Sequence, residues 1–582
     1  MSLEKTTCCV GFDIGSDSVH TVALDQEGKV VYSPASLMHF GNPIDALREA
    51  YDELVKSLGE ENIRAVAFTG VVGKLVAETT GTPFYYDSIS IPAGAEIIAP
   101  NAEYIFHMGS TNPYFFERAI DKEAGRAFVA DHGTGTKCGG GSGILINKQI
   151  RRFFATEVPV KLEDPASAAS PQEEQLIKRK NRGKLQQQLE QIHNRSIASM
   201  LDSSKEISVG GRCGVIIQSD MIHLQNSGEQ ISNILKGMYK RIARNYQSDV
   251  IRTRTLDKNK QAIATGGVFL NQNMVAMLSE ELGMKITRPE LYEKIGAAGA
   301  AWKALKEKKG LKFNPADLGL VTEAQKREIR FAPALSSIMG KVHDYPDEKA
   351  VKKTEGGLVI YKEIGDRAEV VIGVDGGSTT TKALIADASN LDIIVEICLD
   401  TNGRPLETAQ KMFGEIRQHL GSRLKIQGIA YTGSSGAFYY KLFTDLKKDP
   451  SLAGTDILKD EITCHALGVR HFNKKVDTIF ECGGQDAKFT LFNKDGTVNK
   501  AKMNLSCMAG TGQSMKNMLD MFGFDFNIFS EYALAAGRTP ISDETCAVFT
   551  EATVLKLFAL GFPKEEIAAA IAYGFIGGYA NK

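Results

Sequence analysis

The amino-acid sequence predicts an α/β protein that contains two copies of one domain. Short apolar runs that end in glycine turns alternate with segments of helical spacing, as in layered α/β folds. The same landmarks then recur in the same order later in the 582-residue chain. A set of landmarks repeated at nearly constant separation indicates an internal duplication.

The duplication begins with two similar glycine turns. Residues 10–18 read VGFDIGSDS and residues 372–380 read IGVDGGSTT, a separation of 362 residues. A second pair of turns follows, with IFHMGS at residues 105–110 and IFECGG at residues 479–484. These pairs place equivalent turns at the ends of equivalent apolar runs, so both copies are predicted to share their core topology.

Two cysteines continue the register in each copy. Cys138 and Cys507 stand 369 residues apart, whereas Cys213 and Cys546 stand 333 residues apart. The first copy therefore carries about 36 additional residues between its cysteines. Residues 157–205 contain them and are rich in Gln, Lys, Arg and Glu. We expect a solvated helical insertion there rather than a nucleic-acid-binding patch.

Local patterns assign the first elements of each copy. Residues 8–13 and 370–374 are apolar runs that enter a tight turn, so both are predicted strands. Return strands are predicted at residues 19–24 and 382–386. Residues 42–58 have the apolar spacing of a helix. The expected order is therefore a strand hairpin, a helix and further strands, ending at the second glycine turn.

The landmarks divide the chain into three parts. Residues 1–306 form the first predicted domain and residues 369–582 form the second. Residues 307–368 are rich in lysine, contain three prolines and lack both glycine turns. We predict that this middle part is a linker with some packed structure of its own.

The glycine turns suit phosphate binding. Glycine lets the backbone approach a phosphate, N–H groups and hydroxyls bind its oxygens, and the aspartate serves Mg²⁺ or water. No Gly-x-x-x-x-Gly-Lys-Ser/Thr loop occurs in the sequence. The candidate cofactor-binding residues of the first copy are Asp13, Gly15, Ser16, Ser18, Gly109, Ser110, Gly141, Ser142, Gly143, Gly266, Gly267 and Asn271. Those of the second copy are Gly377, Ser378, Thr379, Thr380, Lys382, Gly483, Gly484, Gly510, Thr511 and Gly512.

These motifs resemble the sugar kinase/actin/heat-shock-chaperone ATPase superfamily. Within it, the sequence is most similar to the activators of 2-hydroxyacyl-CoA dehydratases and the ATPase subunits of benzoyl-CoA reductase. The motifs that carry the resemblance are GVDGGSTTTK at residues 373–382, EITCHA at 461–466, GGQD at 483–486, CMAGTG at 507–512 and Cys546. The resemblance covers nearly all of residues 370–582 and, more loosely, residues 8–306. It implies tandem actin-like (ribonuclease-H-like) ATPase domains.

The resemblance also implies cofactors. ATP and Mg²⁺ are expected at the glycine turns, with Asp375, Gln485 and Asp486 as the catalytic residues of the second copy. In this family two protein copies hold one [4Fe–4S] cluster, each with two cysteines. The matching metal ligands are Cys138, Cys213, Cys507 and Cys546. The site is expected within one chain, as an intramolecular pseudo-dimer, or within a homodimer.

The cysteines are open to other interpretations. An isolated intracellular cysteine is most often a small buried hydrophobe. We keep that interpretation for Cys8, Cys9, Cys398, Cys464 and Cys482. Retention of cysteine at both equivalent points in both copies favours ligation for the other four. Four thiolates suit zinc as well as iron, and the family resemblance favours iron.

The implied activity is ATP-driven electron transfer. An electron donor such as ferredoxin or flavodoxin would supply a low-potential electron, and an acyl-CoA dehydratase- or reductase-type iron–sulfur protein would accept it. One alternative is a small-molecule (sugar-type) kinase of the same superfamily, although no clear sugar-binding segment is present. Another is a non-enzymatic ATP-responsive sensor module.

The two copies are unequal in sequence. Thr111 and Asn112 stand where the second copy has Gln485 and Asp486, which removes a carboxylate. Likewise Asp17 replaces Thr379, and His20 replaces Lys382. These changes predict that the first copy binds nucleotide weakly or does not hydrolyse it. In the second copy, the equivalent of Gly266 would lie 53 residues after Cys546, beyond Lys582. We therefore expect that this copy is truncated before its adenosine motif.

The composition argues against several other classes of protein. Lys and Arg number 69 and Asp and Glu number 70, so no global field favours nucleic acid or an anionic membrane. The first residues lack the pattern of a signal peptide, and no apolar run is long enough to span a bilayer. Nine dispersed cysteines do not resemble a disulfide framework. A cytoplasmic protein is expected.

Overall fold

The computed structural model forms two compact units. The first comprises Met1–Ile217, Leu235–Ala332 and Ala552–Ile567; the second comprises Gln218–Ile234, Pro333–Glu551 and Ala568–Lys582. The residues described are 7–40, 42–110, 112–121, 126–135, 143–163, 168–211, 213–308, 313–320, 329–340, 352–354, 356–446, 456–503, 512–522, 524–544, 547–560 and 562–581.

The elements up to residue 307 form the first copy. They are β1 (Cys8–Ile14), β2 (Ser18–Leu24), β3 (Val30–Tyr32), β4 (Leu37–Met38), α1 (Pro43–Leu58), β5 (Ile63–Thr69), α2 (Gly73–Thr80), α3 (Asp87–Ile98), β6 (Tyr104–Met108), β7 (Pro113–Asp121), β8 (Arg126–Thr134), α4 (Gly143–Phe154), α5 (Pro171–Leu201), α6 (Gly214–Asn226), α7 (Ile231–Tyr246), β9 (Ala262–Thr265), α8 (Gln272–Leu282), β10 (Ile286–Thr287) and α9 (Ile295–Glu307).

Two sheets build this copy. The first has the order β3-β2-β1-β5, with β4 paired to β2, and the second has the order β10-β9-β6-β7-β8. Strands β1 and β2 form the predicted hairpin, in which Asp13 pairs with His20. Helix α9 packs directly on β1. This close approach requires glycine at position 11, since a β-carbon there would lie only 1.9 Å from the carbonyl oxygen of Ala297. Both sheets therefore present glycine turns at strand ends, as the sequence predicts.

The predicted linker begins as part of the first core. Phe313 and Leu318 pack with Phe12, Leu47 and Phe68 in one apolar cluster. The ring of Phe313 contacts that of Phe68 edge-on, with 5.5 Å between ring centroids. Burial of apolar side chains of this size stabilises the fold by about 2 kcal/mol each. Phe313 and Leu318, which lie in the predicted linker, thus pack into the core of the first copy.

The predicted insertion contains the long helix α5 (Pro171–Leu201). Helix α5 has Ser170 as its N-cap, whose side chain accepts a hydrogen bond from the N–H of Glu173. This helix is not solvated on every side, since Ile177, Leu189 and Ile192 are buried. These three side chains give α5 an inner face despite its polar composition.

The remaining elements form the second copy and its flanking segments. They are β11 (Phe331–Ala332), α10 (Leu335–Ile338), β12 (Lys352–Lys353), β13 (Leu358–Ile360), β14 (Ala368–Gly376), β15 (Thr380–Asp387), β16 (Ile393–Asp400), α11 (Pro405–Leu420), β17 (Leu424–Thr432), α12 (Gly436–Leu446), β18 (Ile457–Leu458), α13 (Glu461–Phe472), β19 (Thr478–Cys482), β20 (Ala487–Phe492), β21 (Val498–Met503), α14 (Gly512–Phe522), α15 (Phe529–Ala535), β22 (Thr539–Pro540), α16 (Ala547–Ala559) and α17 (Lys564–Ala580).

The second copy repeats the plan of the first. A seven-stranded sheet has the order β12-β13-β16-β15-β14-β17-β18, and a three-stranded sheet has the order β19-β20-β21. In the hairpin of β14 and β15, Asp375 pairs with Lys382, as Asp13 pairs with His20. The predicted replacement of Lys382 by His20 is therefore confirmed by strand register.

A further match joins the second glycine turn to a helix start. In the first copy the N–H of Gly143, the first residue of α4, donates to the carbonyl of Gly109 over 3.2 Å. In the second copy the N–H of Gly512, the first residue of α14, donates to the carbonyl of Gly483 over 2.8 Å. The duplication seen in the sequence is thus repeated in backbone contacts. Among the described residues, no helix combines the length and apolar character that crossing a bilayer requires.

Candidate nucleotide cleft and cysteine positions

A cavity of about 380 Å³ lies in the first copy and is lined by residues of both sheets. This volume falls within the range of about 300–1,000 Å³ that small-molecule sites occupy. The structure brings ten of the predicted cofactor-binding residues to its wall. They are Asp13, Gly15, Ser16, Ser18, Gly109, Ser110, Gly143, Gly266, Gly267 and Asn271. The other two, Gly141 and Ser142, lie outside the described residues.

Two glycines make room for the carboxylate of Asp13. A β-carbon at Gly70 would lie 2.5 Å from Asp13 Oδ1, and one at Gly296 would lie 2.4 Å from Asp13 Oδ2. Gly70 also has a φ of 87°, in the region that side chains rarely adopt. The carboxylate is therefore enclosed on both sides by backbone that only glycine allows.

Asp13 lies near a second buried carboxylate, Asp87. Burial, followed by the charge of Asp87, raises the pKa of Asp13 to about 8. Burial also raises the pKa of Asp87, although hydrogen bonds from Thr69 and Tyr114 oppose the shift. Thr69 Oγ1 donates to Asp87 Oδ1 over 3.3 Å, and Tyr114 Oη donates to Asp87 Oδ2 over 3.5 Å. A proton is therefore retained at this end of the cleft in the absence of a cation.

His20 joins a hydrogen-bonded chain along the cavity wall. Ser36 Oγ donates to Glu293 Oε1 over 2.8 Å, so its oxygen accepts from His20 Nδ1 at 2.7 Å. His20 Nε2 then accepts from Ser18 Oγ at 3.0 Å. Burial lowers the pKa of His20, although Glu293 opposes the shift. His20 is thus neutral at pH 7, and it does not replace the charge of Lys382.

A second buried histidine, His107, lies beside the glycine turn of β6. His107 Nδ1 is hydrogen-bonded to Thr265 Oγ1 over 3.1 Å. Burial lowers the pKa of His107 to about 3, and the neighbouring imidazole of His20, which would repel a second positive charge, contributes less. His107 therefore contributes an uncharged ring to the cavity, between the turns of β6 and β9.

The turn after β9 approaches other backbone closely. A β-carbon at Gly266 would lie 2.3 Å from the carbonyl oxygen of Met108, and its φ is 98°. A β-carbon at Gly267 would meet no atom within 4 Å. Asn271 Oδ1 accepts from the N–H of Asn273 and caps α8. Gly266 is required by the fold, whereas Gly267 leaves space open at the cavity.

Helix α5 supplies a wall that sequence reasoning missed. Gln186, Leu189, Glu190 and His193 line the cavity, which therefore includes the insertion of the first copy. Gln186 Nε2 donates to the carbonyl of Ser36 over 3.1 Å. The sequence of α5 is polar and lacks a clear apolar periodicity, so it did not indicate that one face of this helix lines the cavity.

In the second copy, Asp375 forms an ion pair with Lys382. Their side-chain atoms lie 3.0 Å apart. The other carboxylate oxygen, Asp375 Oδ1, is buried without a hydrogen-bond partner among the described residues. Gly433 gives it space, since a β-carbon there would lie 2.2 Å from Oδ1. An unpaired buried carboxylate oxygen in a glycine-lined turn fits a cation or an ordered water.

The two glycine turns of the second copy contact each other. A β-carbon at Gly484 would lie 2.1 Å from Thr379 Oγ1. Thr379 Oγ1 also donates to Gln513 Oε1 on α14 over 3.1 Å. The predicted residues Gly377, Ser378, Thr380, Lys382 and Gly483 belong to the same two turns. Gly510 and Thr511 lie outside the described residues.

Lys488 binds the predicted catalytic residue Asp486. Its Nζ lies 3.0 Å from Asp486 Oδ1, 3.3 Å from Glu461 and 3.4 Å from Glu481, and its side chain is only 5% exposed. Burial lowers the pKa of Lys488, but Asp486 and the other carboxylates raise it above its usual value overall. Gln485, also predicted to be catalytic, donates to its neighbour, the carbonyl of Gly484.

Glu461, His465 and Glu481 could together hold a metal ion by their spacing. Lys488 already supplies a cation to both carboxylates, so we assign no metal to this cluster. These positions match Asp87, Ile91 and His107 of the first copy at the separation of 374 residues that relates the second glycine turns. Extension of that register in the sequence would have found Asp87 and His107.

Of the four predicted metal ligands, only Cys213 lies within the described residues. It is half-buried, is not in a disulfide and directly precedes α6, whose residue Ile217 donates its N–H to the Cys213 carbonyl. Cys138, Cys507 and Cys546 lie outside the described residues. The helix starts nevertheless repeat, with α4 and α14 beginning five residues after Cys138 and Cys507, and α6 and α16 beginning one residue after Cys213 and Cys546.

Several known proteins are similar in sequence or structure to this chain. The activator of lactoyl-CoA dehydratase from Anaerotignum propionicum is 29% identical over 202 residues, 34% of this chain and 72% of that protein. The (R)-2-hydroxyglutaryl-CoA dehydratase activating ATPase from Acidaminococcus fermentans is 27% identical over 201 residues, again 34% and 72%. The crystal structure of the (R)-2-hydroxyglutaryl-CoA dehydratase component A from that organism has a TM-score of 0.41 and 18% identity, covering 52% of this chain and 99% of that chain.

A family model matches both copies. The BadF/BadG/BcrA/BcrD ATPase family model covers residues 10–304 and residues 372–574. The two stretches correspond to the two copies, and they confirm the predicted tandem arrangement and the predicted family resemblance, while the described elements confirm the predicted α/β class. The chain belongs to the BadF/BadG/BcrA/BcrD ATPase family.

Proposed function

We propose that this chain is an ATP-dependent activator that passes low-potential electrons to an acyl-CoA dehydratase- or reductase-type iron–sulfur protein. Family membership and the two activating relatives support this role. The observation that carries the electron-transfer part is the repeated placement of helix starts after the four matched cysteines. Positive helix ends stabilise thiolates and added negative charge.

The first-copy cavity is one proposed nucleotide site, and the glycine turns of the second copy, where hydrolysis is proposed, are the other. The wall of the cavity offers the backbone of two glycine turns and the hydroxyl groups of Ser16, Ser18 and Ser110 for phosphate oxygens. The open space at Gly267 leaves room for the nucleoside end. Asp13 must release its proton to face Mg²⁺, and a cation beside it lowers the pKa that burial raises. Residues of the first copy therefore fit a bound nucleotide.

The second copy keeps the residues proposed for hydrolysis. Asp375 presents an unpaired oxygen for Mg²⁺ or water, and Lys382 stays within reach of a phosphate. Asp486, held by Lys488, is proposed to orient the attacking water together with Gln485. The first copy lacks this carboxylate because Asn112 replaces Asp486.

The proposed cluster ligands are Cys138, Cys213, Cys507 and Cys546. Half-exposed Cys213 at the start of α6 has the access that a ligand to a shared cluster needs. A bound [4Fe–4S] cluster supplies one-electron chemistry at low potential. Among the described residues, Cys213 would hold its thiolate directly before a helix start, and ATP must bind two arrangements of the protein with different affinity for coupling to occur.

The proposed partners follow from the same role. Ferredoxin or flavodoxin loses one electron to the chain, and the dehydratase- or reductase-type partner gains it while ATP is hydrolysed. The cluster is proposed to lie within one chain, as a pseudo-dimer, or between two chains. Each electron that leaves the donor is thus recovered on the acceptor.

An anaerobic electron-transfer assay tests the proposal. The purified chain is mixed with reduced ferredoxin, an acyl-CoA dehydratase and Mg²⁺, with or without ATP. We expect the dehydratase cluster to be reduced only when ATP is present. Electron paramagnetic resonance detects the reduced cluster. Equal reduction without ATP, or ATP consumption that depends on a sugar in a colourless protein, would contradict the proposal.

A further inference from the structure

Helix α5 is held firmly over the first-copy cavity. Arg182 pairs with Glu49 on α1, and Arg179 lies 2.9 Å from the same carboxylate. Gln186 accepts from the N–H of Met38 over 3.2 Å and also donates to the neighbouring loop. The cavity side of α5 is therefore a fixed surface rather than a mobile polar helix.

His193 presents an unused hydrogen-bond acceptor from this helix. Asn147 Nδ2 donates to Asp17 Oδ2 over 3.4 Å, which leaves Asn147 Oδ1 to accept from His193 Nε2 at 2.8 Å. With its proton on Nε2, the neutral ring carries a lone pair on Nδ1. Burial and the charge of Arg151 lower the pKa of His193 to about 4, which keeps the ring neutral. Nδ1 is buried and has no partner among the described residues.

Further buried polar groups line the same cavity. Asn271 Nδ2 has no well-aligned hydrogen-bond partner among the described residues, and the hydroxyl of Tyr239, which interacts with Asn271 and Ser196, also makes no well-aligned hydrogen bond. Asn271 is 1% exposed and Tyr239 is fully buried, and both line the cavity with His193. An unsatisfied buried polar atom costs about 1–3 kcal/mol, so the unpaired Nδ1 of His193, together with Asn271 on the wall of the same cavity, indicates a polar ligand.

The charge of the wall restricts that ligand. The described lining residues include five carboxylates and three histidines but no lysine or arginine. The part of the ligand near His193 is therefore an uncharged group that both donates and accepts hydrogen bonds, such as a hydroxyl or an amino-substituted ring. A nucleoside has this chemistry, whereas a bare polyphosphate does not.

We propose that α5 and the wall facing it form a nucleoside subsite, in which His193 Nδ1 accepts from a ribose hydroxyl or a base amino group and Asn271 donates to the ligand. This rests on the proposal that a nucleotide occupies the cavity. The insertion then contributes directly to nucleotide affinity in the first copy.

Calorimetry with the full chain tests the subsite. The probes are a non-hydrolysable ATP analogue and inorganic tripolyphosphate, each with Mg²⁺. His193→Leu should bind the analogue about tenfold more weakly, equivalent to one lost hydrogen bond, and should bind tripolyphosphate like the unchanged chain. The matched control is Asn194→Ala, one position along on the exposed side of α5, which should change neither affinity.

The outcomes separate the two proposals. Unchanged affinity of His193→Leu for the analogue, or an equal loss for tripolyphosphate, overturns the subsite and leaves the nucleotide site intact. Failure of the unchanged chain to bind either probe overturns both proposals. Where His193→Leu folds poorly, His193→Gln keeps a donor to Asn147 and a polar acceptor, and it should retain more affinity than Asn271→Leu.

Discussion

Tyr114 and Lys488 occupy matching positions in the two copies, and each contacts the acidic residue that begins the preceding helix. Tyr114 pairs with His107 across β6 and β7, and Lys488 pairs with Glu481 across β19 and β20. Tyr114 donates to Asp87 over 3.5 Å, whereas Lys488 lies 3.3 Å from Glu461. A neutral phenol in one copy thus stands where the other has a buried cation.

Replacement of Lys488 should affect both stability and hydrolysis. Lys488→Met leaves three carboxylates without their shared cation, and because these are partly exposed we expect a loss of about 2–3 kcal/mol of unfolding free energy. Urea denaturation measures it. ATP hydrolysis should fall as well, because Asp486 loses the side chain that holds it.

The control for that variant is Lys500→Met. Lys500 is exposed on β21, so its loss should change the unfolding free energy by less than about 0.5 kcal/mol. Equal urea midpoints for Lys488→Met and Lys500→Met would show that the ion pairs of Lys488 do not stabilise the folded protein.

Asp13 should make the stability of the ligand-free protein depend on pH. Its folded pKa is raised to about 8, above the unfolded value of about 3.9, so its stabilising contribution is complete below about pH 4 and is lost as pH rises towards 8. Between about pH 6 and pH 8, the Tm of the unchanged chain should fall more steeply than that of Asp13→Asn. The exposed control Asp52→Asn should follow the unchanged chain, and a parallel slope for Asp13→Asn would refute the assignment.

Gly267 tests whether the open space of the cavity is reserved for a ligand. A β-carbon there contacts nothing within 4 Å, so Gly267→Ala should fold normally. It should nevertheless weaken binding of a non-hydrolysable ATP analogue by about tenfold, measured by calorimetry, because the methyl group occupies ligand space. Gly319→Ala also meets no atom and lies outside the cavity, so it should bind as the unchanged chain does. Normal binding by Gly267→Ala would place the nucleotide elsewhere.

Asp375 tests the assignment of hydrolysis to the second copy. Asp375→Asn keeps the size of the side chain but removes its negative charge, including that on Oδ1, the unpaired oxygen proposed to face Mg²⁺ or water. The rate of ATP hydrolysis should therefore fall by about 10²-fold. Phosphate release measures the rate. The corresponding Asp13→Asn change should mainly weaken binding, and a larger loss of rate in Asp13→Asn would reverse the proposed division between the copies.

Much of the fold could be predicted because its signals are local. The hairpins at Asp13 and Asp375, the glycine turns and the helix starts are encoded by short patterns that occur twice. The cavity residues of the first copy came together as a consequence, since strand ends in one layer meet at one edge.

The missed residues depend on tertiary contacts. His193 lies in a polar helix whose composition predicts full solvation, and only packing against the cavity gives it a buried face. The neutrality of His20 likewise depends on its burial, and its tautomer depends on the hydrogen-bonded chain through Ser36 to Glu293. The burial of a side chain and its contacts with distant segments cannot be predicted from the spacing of residues in the sequence alone.

The measurement that tests the central claim most directly is iron and sulfide content after anaerobic purification. If thiolates from both copies bind one cluster within a single chain, the protein should carry about four iron and four sulfide ions per chain, or half that number if two chains share it. The variant with Cys138, Cys213, Cys507 and Cys546 changed to Ala should be folded and colourless, while Cys398→Ala should keep its iron. Full iron content in the fourfold variant, or zinc in place of iron and sulfide, would contradict the account.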